Sequence, residues 1–302
     1  MEAPGEIKFA PVVVDKRIQT AYTTVISNHI LTTGSPVHRA ERRTEVLDPQ
    51  NLIRIMPAEG EEIKVKTSPS QAEGFFVQVS RVVIMANGDL PNLASARKIL
   101  RPDDYFIAAD GGLRYFRAME ILPHLIIGDL DSIAAEELPG LQSAGVEIRR
   151  FPVEKNETDL ELALRAAADI STTIIVMAGL GGRLDQTLGN IYLLLDPRLA
   201  DKNIRLEDGV EEVFWIRTEA VITGEPGDRV SLLPLLGTVQ GVLTTDLRYP
   251  LNTETLFPEH SRGISNEMTA HTARVSIASG CLLCIHTRQS GGSHSSSIIE
   301  TI

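Results

Sequence analysis

Cysteine is nearly missing from this chain of 302 residues: only Cys281 and Cys284 occur. Two thiols cannot build the disulfide framework of a small secreted domain. Their C-x-x-C spacing also lacks the second Cys pair or Cys/His cluster that would complete four zinc ligands. The context Gly-Cys-Leu-Leu-Cys-Ile-His reads as a strand, where residues three apart face opposite ways, so two inert thiols are expected. Basic residues are in short supply too, with 29 Lys and Arg against 40 Asp and Glu and a formal net charge of −11. That balance argues against a nucleic-acid-binding face, which needs clustered cations, but leaves room for a nucleotide held by a metal and a few local basic groups. No apolar run approaches ~18 residues, and the start Met-Glu-Ala-Pro-Gly-Glu has neither a basic segment nor an apolar core. No membrane partner is expected, and the location implied is cytoplasmic. Two phosphate-binding signatures are absent as well. There is no G-x-x-x-x-G-K-[ST], and Leu184 stands where the third glycine of G-x-G-x-x-G would follow Gly179 and Gly181, so a P-loop and a dinucleotide fingerprint are both excluded.

What is present is an ordinary globular composition, 43% hydrophobic and 23% charged, long enough for two or three domains and too apolar for wholesale disorder. From Val79 short aliphatic runs alternate with amphipathic stretches. Strands are expected at Val82 to Met85, Tyr105 to Ala109, Leu125 to Ile127, Val146 to Arg150 and Thr173 to Ala178. Helices are expected at Leu93 to Leu100, Ala134 to Ala144, Asp159 to Ile170 and Leu184 to Leu195. Repeats of this length indicate an α/β doubly wound parallel sheet over residues 79–212. After residue 212 helical periodicity gives way to short strands at Val213 to Ile216, Ala220 to Thr223, Arg229 to Leu233, Thr238 to Leu243, Ala273 to Ile277 and Leu282 to His286. These predict a small antiparallel β-sandwich or half-barrel over 213–302, ending in a low-complexity tail from Gln289 to Ser297. Residues 1–78 read as an α+β extension with no motif. A strand is expected at Pro11 to Val14 and a helix from Arg17 to Leu31, with β-like runs at Leu52 to Ile55 and Ile63 to Val65 and linker composition from Thr67 to Gly74.

The chain is organised around Pro123-His-Leu-Ile-Ile-Gly-Asp-Leu-Asp-Ser132. A buried parallel strand stops at Gly128, and Asp129 and Asp131 follow at its carboxyl end, where open α/β sheets bind ligands. Two acids so close repel unless a cation lies between them, and their hard oxygens suit Mg²⁺ bridging to phosphates. The competing reading is a solvated turn in which Asp131 or Ser132 caps a helix beginning near Ile133. Asn87-Gly88, Asp110-Gly111-Gly112 and the segment Gly179 to Asp185 end other strands on the same edge. Their glycines permit close backbone approach to phosphate.

Thr158 with Glu161 matches a capping box, and Asp159 sits in the first helical turn, where the macrodipole favours an acid. A cap is the simpler account of this segment; as a functional site, Asp159 would be a third metal ligand and Lys155 a phosphate contact. Arg183 and Asp185 stand at the start of the next helix, placed either to grip a polyphosphate or to form a surface ion pair. Along that helix Leu184, Leu188, Ile191 and Leu195 are expected to bury one face.

Taken together, Asp110-Gly-Gly112, Pro123-x4-Gly-Asp-x-Asp-Ser132, Thr158-Asp159-x-Glu161-Leu162-Ala163, Gly181-Gly-Arg-x-Asp185, Val230-Ser-Leu-Leu-Pro-Leu235 and Gly263-x-Ser-Asn266 resemble the thiamine pyrophosphokinase family over residues 80 to 288. The resemblance implies transfer of a diphosphate from ATP to thiamine with release of AMP, and a homodimer whose active sites lie between subunits. It implies Asp129, Asp131 and Asp159 as Mg²⁺ ligands. Asp110, Arg183 and Asp185 would line the nucleotide crevice, with Asn87, Gly88, Gly111, Gly112, Lys155, Thr158 and Gln186. Ser265 and Asn266 would lie on the thiamine side. The catalytic set is then Asp110, Asp129, Asp131, Asp159 and Arg183, with either Asp110 or Asp159 as base. Three positions depart from the family pattern: Asn156 stands for Asp, Gln186 for His, and Asp246 for Gly. A pyrophosphokinase acting on a pterin alcohol and a non-catalytic thiamine or nucleotide sensor are the rival functions.

Overall fold

The computed structural model describes residues 43–48, 52–56, 63–66 and 78–289. Arg43–Asp48 (β1), Leu52–Met56 (β2) and Ile63–Lys66 (β3) make a three-stranded antiparallel sheet within the unit Met1–Phe76. The two runs expected there are present, and β1 was not foreseen. The strand and helix expected within residues 11–31, the linker of 67–74 and the tail beyond Gln289 lie outside the described residues.

Val77 onward is a second compact unit. Its first strand, Val82–Met85 (β4), is followed by Leu93–Ile99 (α1), whose amino end is capped by the Asn92 side chain accepting from the Ser95 amide. Tyr105–Ala109 (β5) leads through a 3-10 turn into Leu113–Ala118 (α2), and Leu125–Gly128 (β6) leads to Leu138–Ser143 (α3). Glu147–Arg150 (β7), Asp159–Ile170 (α4), Thr173–Met177 (β8), Leu184–Leu193 (α5) and Asn203–Glu207 (β9) complete the alternation. The six strands pair in parallel in the order β7-β6-β5-β4-β8-β9, so the winding reverses between β4 and β8. Such a reversal leaves a crevice outside the carboxyl ends of the strands.

The aliphatic runs are strands because both sheet faces are covered. Val82 and Ile84 face a core with Leu160, Ala163, Leu164 and Ala167 of α4, while Val83 and Met85 face one with Ala96 and Phe116. The i, i+3, i+4, i+7 spacing of the α4 residues makes that helix a lid on the sheet. Truncating Leu164, buried to 1% exposure, would cost about 2–5 kcal/mol.

Glu211–Ile216 (β10) begins the antiparallel part, followed by Glu219–Thr223 (β11), Arg229–Leu233 (β12), Val239–Thr245 (β13), Asn252–Leu256 (β14), Asn266–Glu267 (β15), Thr272–Ser276 (β16) and Leu282–Thr287 (β17). β10, β17, β12 and β15 extend the parallel sheet beyond β9, giving ten strands in one sheet. A four-stranded sheet, β11-β16-β13-β14, packs on this extension around Phe214, Val230, Ile222, Val242 and Val275. β10 serves both cores because strand side chains alternate: Val213 and Trp215 face the helical core, Phe214 and Ile216 the sandwich core. The Trp215 indole donates to the Ile191 carbonyl at 2.9 Å, fastening α5 to that strand.

Two expectations change. No helix begins near Ile133: residues 131–137 are turns and irregular chain, and α3 starts only at Leu138. In α5, Ile191 is buried, but Leu184 is 72% exposed and Leu188 and Tyr192 are exposed one and two turns on. The helix is apolar on more than one side, so its period could not choose the buried face.

Candidate active site

The parallel strands deliver their terminal residues to one edge. Asp110 follows β5 with φ 45°, and Asp129 follows β6, with Leu130 at φ 67° turning the chain between the two acids. Non-glycine residues adopt this left-handed backbone at a cost, and it recurs at functional turns. The result is that Asp110, Asp129 and Asp131 each place a carboxylate oxygen within 4.8 Å of the others.

The cluster is held by neutral donors. Ser132 Oγ donates to Asp110 Oδ1 at 3.0 Å, Asn87 Nδ2 lies 3.4 Å from Asp110 Oδ2, and the Asp131 amide donates to Asp129 Oδ1 at 3.1 Å. Ser132 therefore braces Asp110 rather than capping a helix. Among the described residues no cationic side chain pairs with these three acids, and the charge of Asp129, followed by that of Asp110, pushes the Asp131 carboxyl above its ordinary value. An oxygen-rich, mutually repelling set of this kind fits a hard divalent cation.

Asp159 lies beside the cluster, not within its tightest group. Burial raises its carboxyl, Lys155 works against that, and Asp110 and Asp129 add to the rise. Lys155 Nζ is 3.0 Å from Asp159 Oδ1, close enough for an ion pair but not aligned for a hydrogen bond, and this buried oxygen accepts none. Lys155 also donates to the Pro152 carbonyl. Thr158 is the N-cap of α4, its Oγ1 accepting from the Glu161 amide at 3.2 Å. The reciprocal half of the capping box is not made, since the Glu161 carboxylate turns to Arg165 and Arg198.

Arg183 and Asp185 form an exposed two-point ion pair with each other at the start of α5, and Gln186 is exposed beside them. In this structure the guanidinium does not reach the acids. The glycines have a more local reason than phosphate. A Cβ on Gly88 would stand 2.4 Å from the Ala178 carbonyl oxygen and one on Gly111 would strike the Asn87 side chain, while Gly112 lies against the Met85 carbonyl. Their close approach is to neighbouring strand ends, which lets those ends converge.

On the sandwich side, Ser265 is exposed at φ 55°, its amide donating to Ser231 Oγ. Asn266 is only 5% exposed, and both ends of its carboxamide are bonded within the chain. Oδ1 accepts from the Tyr249 and Glu267 amides, and Nδ2 donates to the Tyr249 carbonyl at 2.7 Å. Asn266 thus holds the turn that presents Tyr249, whose ring is 56% exposed. Asp246, where glycine was expected, has φ 59°, a left-handed conformation that Asp tolerates better than most residues. Arg114, Tyr115 and Tyr249 were not picked out from the sequence as site residues, and Ser132 was read only as a possible helix cap. Arg114 and Tyr115 have no spacing to betray them.

Known proteins with this arrangement agree. Residues 96–206 match the family described as "Thiamin pyrophosphokinase, catalytic domain", and residues 219–282 match "Thiamin pyrophosphokinase, vitamin B1 binding domain". The chain is 31% identical over 185 residues to a thiamine pyrophosphokinase of Bacillus subtilis (strain 168), covering 60% of this chain and 86% of that protein. The crystal structure of the Bacillus subtilis thiamine pyrophosphokinase superposes with a TM-score of 0.62 at 26% identity, covering 70% of this chain and all of that one. One from Geobacillus thermodenitrificans gives 0.59 at 28%, over 70% and 99%. Both parts of the described fold, and the acids at its strand ends, fall within these matches: the chain belongs to the thiamine pyrophosphokinase family.

Proposed function

We propose that this protein transfers the diphosphate group of ATP to the hydroxyl of thiamine, giving thiamine diphosphate and AMP. The observation that carries the reading is the cluster of Asp110, Asp129 and Asp131, brought together at the carboxyl edge of a parallel sheet without a cationic partner among the described residues. Asp129 and Asp131, with Asp110 or Asp159 completing the set, would hold Mg²⁺. Bound there, the ion would neutralise phosphate charge and draw electron density from the phosphorus under attack. The chain's own part is positioning. Asp110 is braced by Ser132 and Asn87, and Lys155 stands next to the acids as a cation for phosphate oxygens. The thiamine hydroxyl attacks the β-phosphorus in line and AMP leaves. The hydroxyl proton would pass to Asp110 or Asp159, and Asp159 could take it only by giving up its 3.0 Å ion pair with Lys155. Arg183 would serve the polyphosphate only by leaving Asp185, to which it is bound.

The division of labour assigns ATP and metal to residues 79–212 and thiamine to 213–302, where Ser265 and the Tyr249 turn are exposed. Residues 1–78 are given no role. In the ten-stranded sheet β15 is seven strand spacings from β5, counting β12, β17, β10, β9, β8, β4 and β5. At ~4.8 Å per spacing about 34 Å of sheet, measured along it, lies between the strands that adjoin Ser265 and Asp110 within one chain. A second copy is therefore the natural donor of the thiamine side, and the exposed stripe Leu184, Leu188 and Tyr192 gives α5 an apolar face for it. No helix among the described residues is long and apolar enough to cross a membrane, and we place the dimer in the cytoplasm. The match of residues 219–282 to a vitamin B1 binding domain favours thiamine over a pterin alcohol.

Incubation with ATP, Mg²⁺ and thiamine tests the reaction. AMP and thiamine diphosphate should form in equal amounts and only with a divalent cation, and accumulation of ADP with thiamine monophosphate would overturn the assignment.

A further inference from the structure

Arg114 stands in the first turn of α2, carries no motif, and is exposed, yet it is among the most heavily bonded side chains near the acids. Its Nη1 donates to the Asn87 carboxamide oxygen. Its Nη2 lies 3.0 Å from the Asn87 carbonyl, 2.9 Å from the Gly88 carbonyl and 3.0 Å from Tyr115 Oη, sharing its protons among them. The guanidinium rests 4.6 Å from the centre of the Tyr115 ring, and the Tyr115 hydroxyl donates to the same Gly88 carbonyl at 2.6 Å. Two adjacent residues of α2 thus grip the loop that ends β4.

The chemistry of that grip has a direction. A guanidinium only donates, so the face of the Asn87 carboxamide turned to it must be the oxygen. The amide nitrogen is then turned the other way, and what lies 3.4 Å from it is Oδ2 of Asp110. Ser132 meets the other oxygen of that carboxylate. Gly111 allows this contact, since its missing side chain leaves the space that the Asn87 carboxamide fills.

We propose that Arg114 is a positioning residue for the divalent-cation site, acting through Asn87: it fixes the polarity of the Asn87 amide and thereby the orientation of the Asp110 carboxylate. The proposal rests on the reading of Asp110, Asp129 and Asp131 as that site. Partners that orient a metal ligand typically change metal affinity by about 10–100-fold when removed. Without Arg114 the Asn87 amide is free to flip, and its oxygen then faces Asp110 and repels it.

The test is Mn²⁺ binding by the full chain, followed by electron paramagnetic resonance, with thermal midpoints and Mg²⁺-dependent turnover measured in parallel. Arg114→Gln should weaken Mn²⁺ binding by about tenfold and raise the half-saturating Mg²⁺ concentration, with kcat largely recovered at saturating Mg²⁺. Asn87→Ala should weaken Mn²⁺ binding to the same extent, and the double variant should bind Mn²⁺ no more weakly than the single ones, because both cut one link. Arg114→Lys, which keeps the charge but cannot hold the amide and both carbonyls together, should not restore affinity. A fall in kcat or thermal midpoint with unchanged Mn²⁺ affinity would make Arg114 merely structural and overturn the proposal, as would additive losses in the double variant. If Arg114→Gln does not fold, normal Mn²⁺ affinity in Asn87→Ala overturns it alone. Asp131→Asn distinguishes the two levels: if wild-type protein binds no Mn²⁺, or Asp131→Asn binds it as well as wild type, the cation site itself is wrong and this proposal falls with it.

Discussion

Two groups of charged side chains lie on the same ten-stranded sheet and are built on opposite rules. At the parallel strand ends, Asp110, Asp129 and Asp131 crowd together with only neutral donors around them. In the antiparallel half, His286 is fully buried between Asp228, 3.0 Å from Nε2, and Glu212, 3.4 Å from Nδ1. Both ring nitrogens thus face carboxylate oxygens. Glu212 is also paired with Arg205 at 2.7 Å, Arg288 holds Glu207 with two bonds, and Asp228 accepts from the Glu225 and Gln289 amides. Burial by itself would raise the Glu212 carboxyl, but His286 and Arg205 outweigh it and hold the group down at about 2. The same factors move Asp131 the other way, because its nearest charges are of its own sign. A buried charge is tolerated when it is answered, and it then holds the fold. A solvent-facing cluster left unanswered suits a ligand that brings the missing charge.

The sharpest way to break this comparison is to remove charge from each group in turn. Asp129→Asn and Asp131→Asn should lower turnover by about 10²–10³ while leaving the urea midpoint unchanged or slightly higher, since a like-charge contact is relieved. Near-normal turnover at limiting Mg²⁺ in both would reduce these acids to turn residues. His286→Ala should do the reverse. It takes one partner from each of two buried carboxylates and empties a fully buried ring site, and should cost about 3–5 kcal/mol of stability by urea titration, with Mn²⁺ affinity unaltered in the folded protein.

Acid titration gives opposite signs at the two places. Glu212 has a folded pKa depressed from 4.5 to about 2, so its contribution is present above 4.5 and is lost as pH falls through that interval. The full effect is about 3 kcal/mol by linkage, and Glu212→Gln should flatten the stability profile there. Asp131 has a raised pKa, so the folded protein binds its proton more tightly than the unfolded chain. In metal-free protein stability therefore falls as pH rises from 3.8 through the folded value. Asp131→Asn should remove that slope, and an unchanged slope would show that the like charges are not coupled.

The strand ends were legible because the signal is local. An aliphatic run, then Gly and Asp, marks the carboxyl end of a buried parallel strand, and Thr158 with Glu161 marks the start of α4. Elements without such punctuation were missed. α2 is six residues long and follows a 3-10 turn in place of a capping side chain, and β9 reads Asn-Ile-Arg-Leu-Glu, half polar because Arg205 is spent on Glu212. The bracing of Asp110 by Ser132 spans 22 residues, and that of His286 by Glu212 and Asp228 spans 74 and 58. No periodicity reports contacts at such separations. The glycine expected at 246 was informative in another way, since Asp246 occupies the left-handed conformation that a glycine would serve.

The smallest effect tests whether the two halves of the sheet meet across a two-fold axis. Within one chain about 34 Å of sheet separates Ser265 from Asp110. A closed dimer would bring the sandwich of one copy to the acids of the other twice over, and each site would then take its metal side from one subunit and its thiamine side from its partner. Asp129→Asn spoils the first side of both sites. Tyr249→Ala, at an exposed ring whose loss leaves the core intact, spoils the second. Each homodimer should be poor. A heterodimer of the two has one site with both lesions and one with neither, so mixing after subunit exchange should restore activity to a ceiling of about half the wild-type value per dimer. If heterodimers confirmed by mass remain as inactive as the parents, the site is assembled within a single chain, and the face of Leu184, Leu188 and Tyr192 needs another partner.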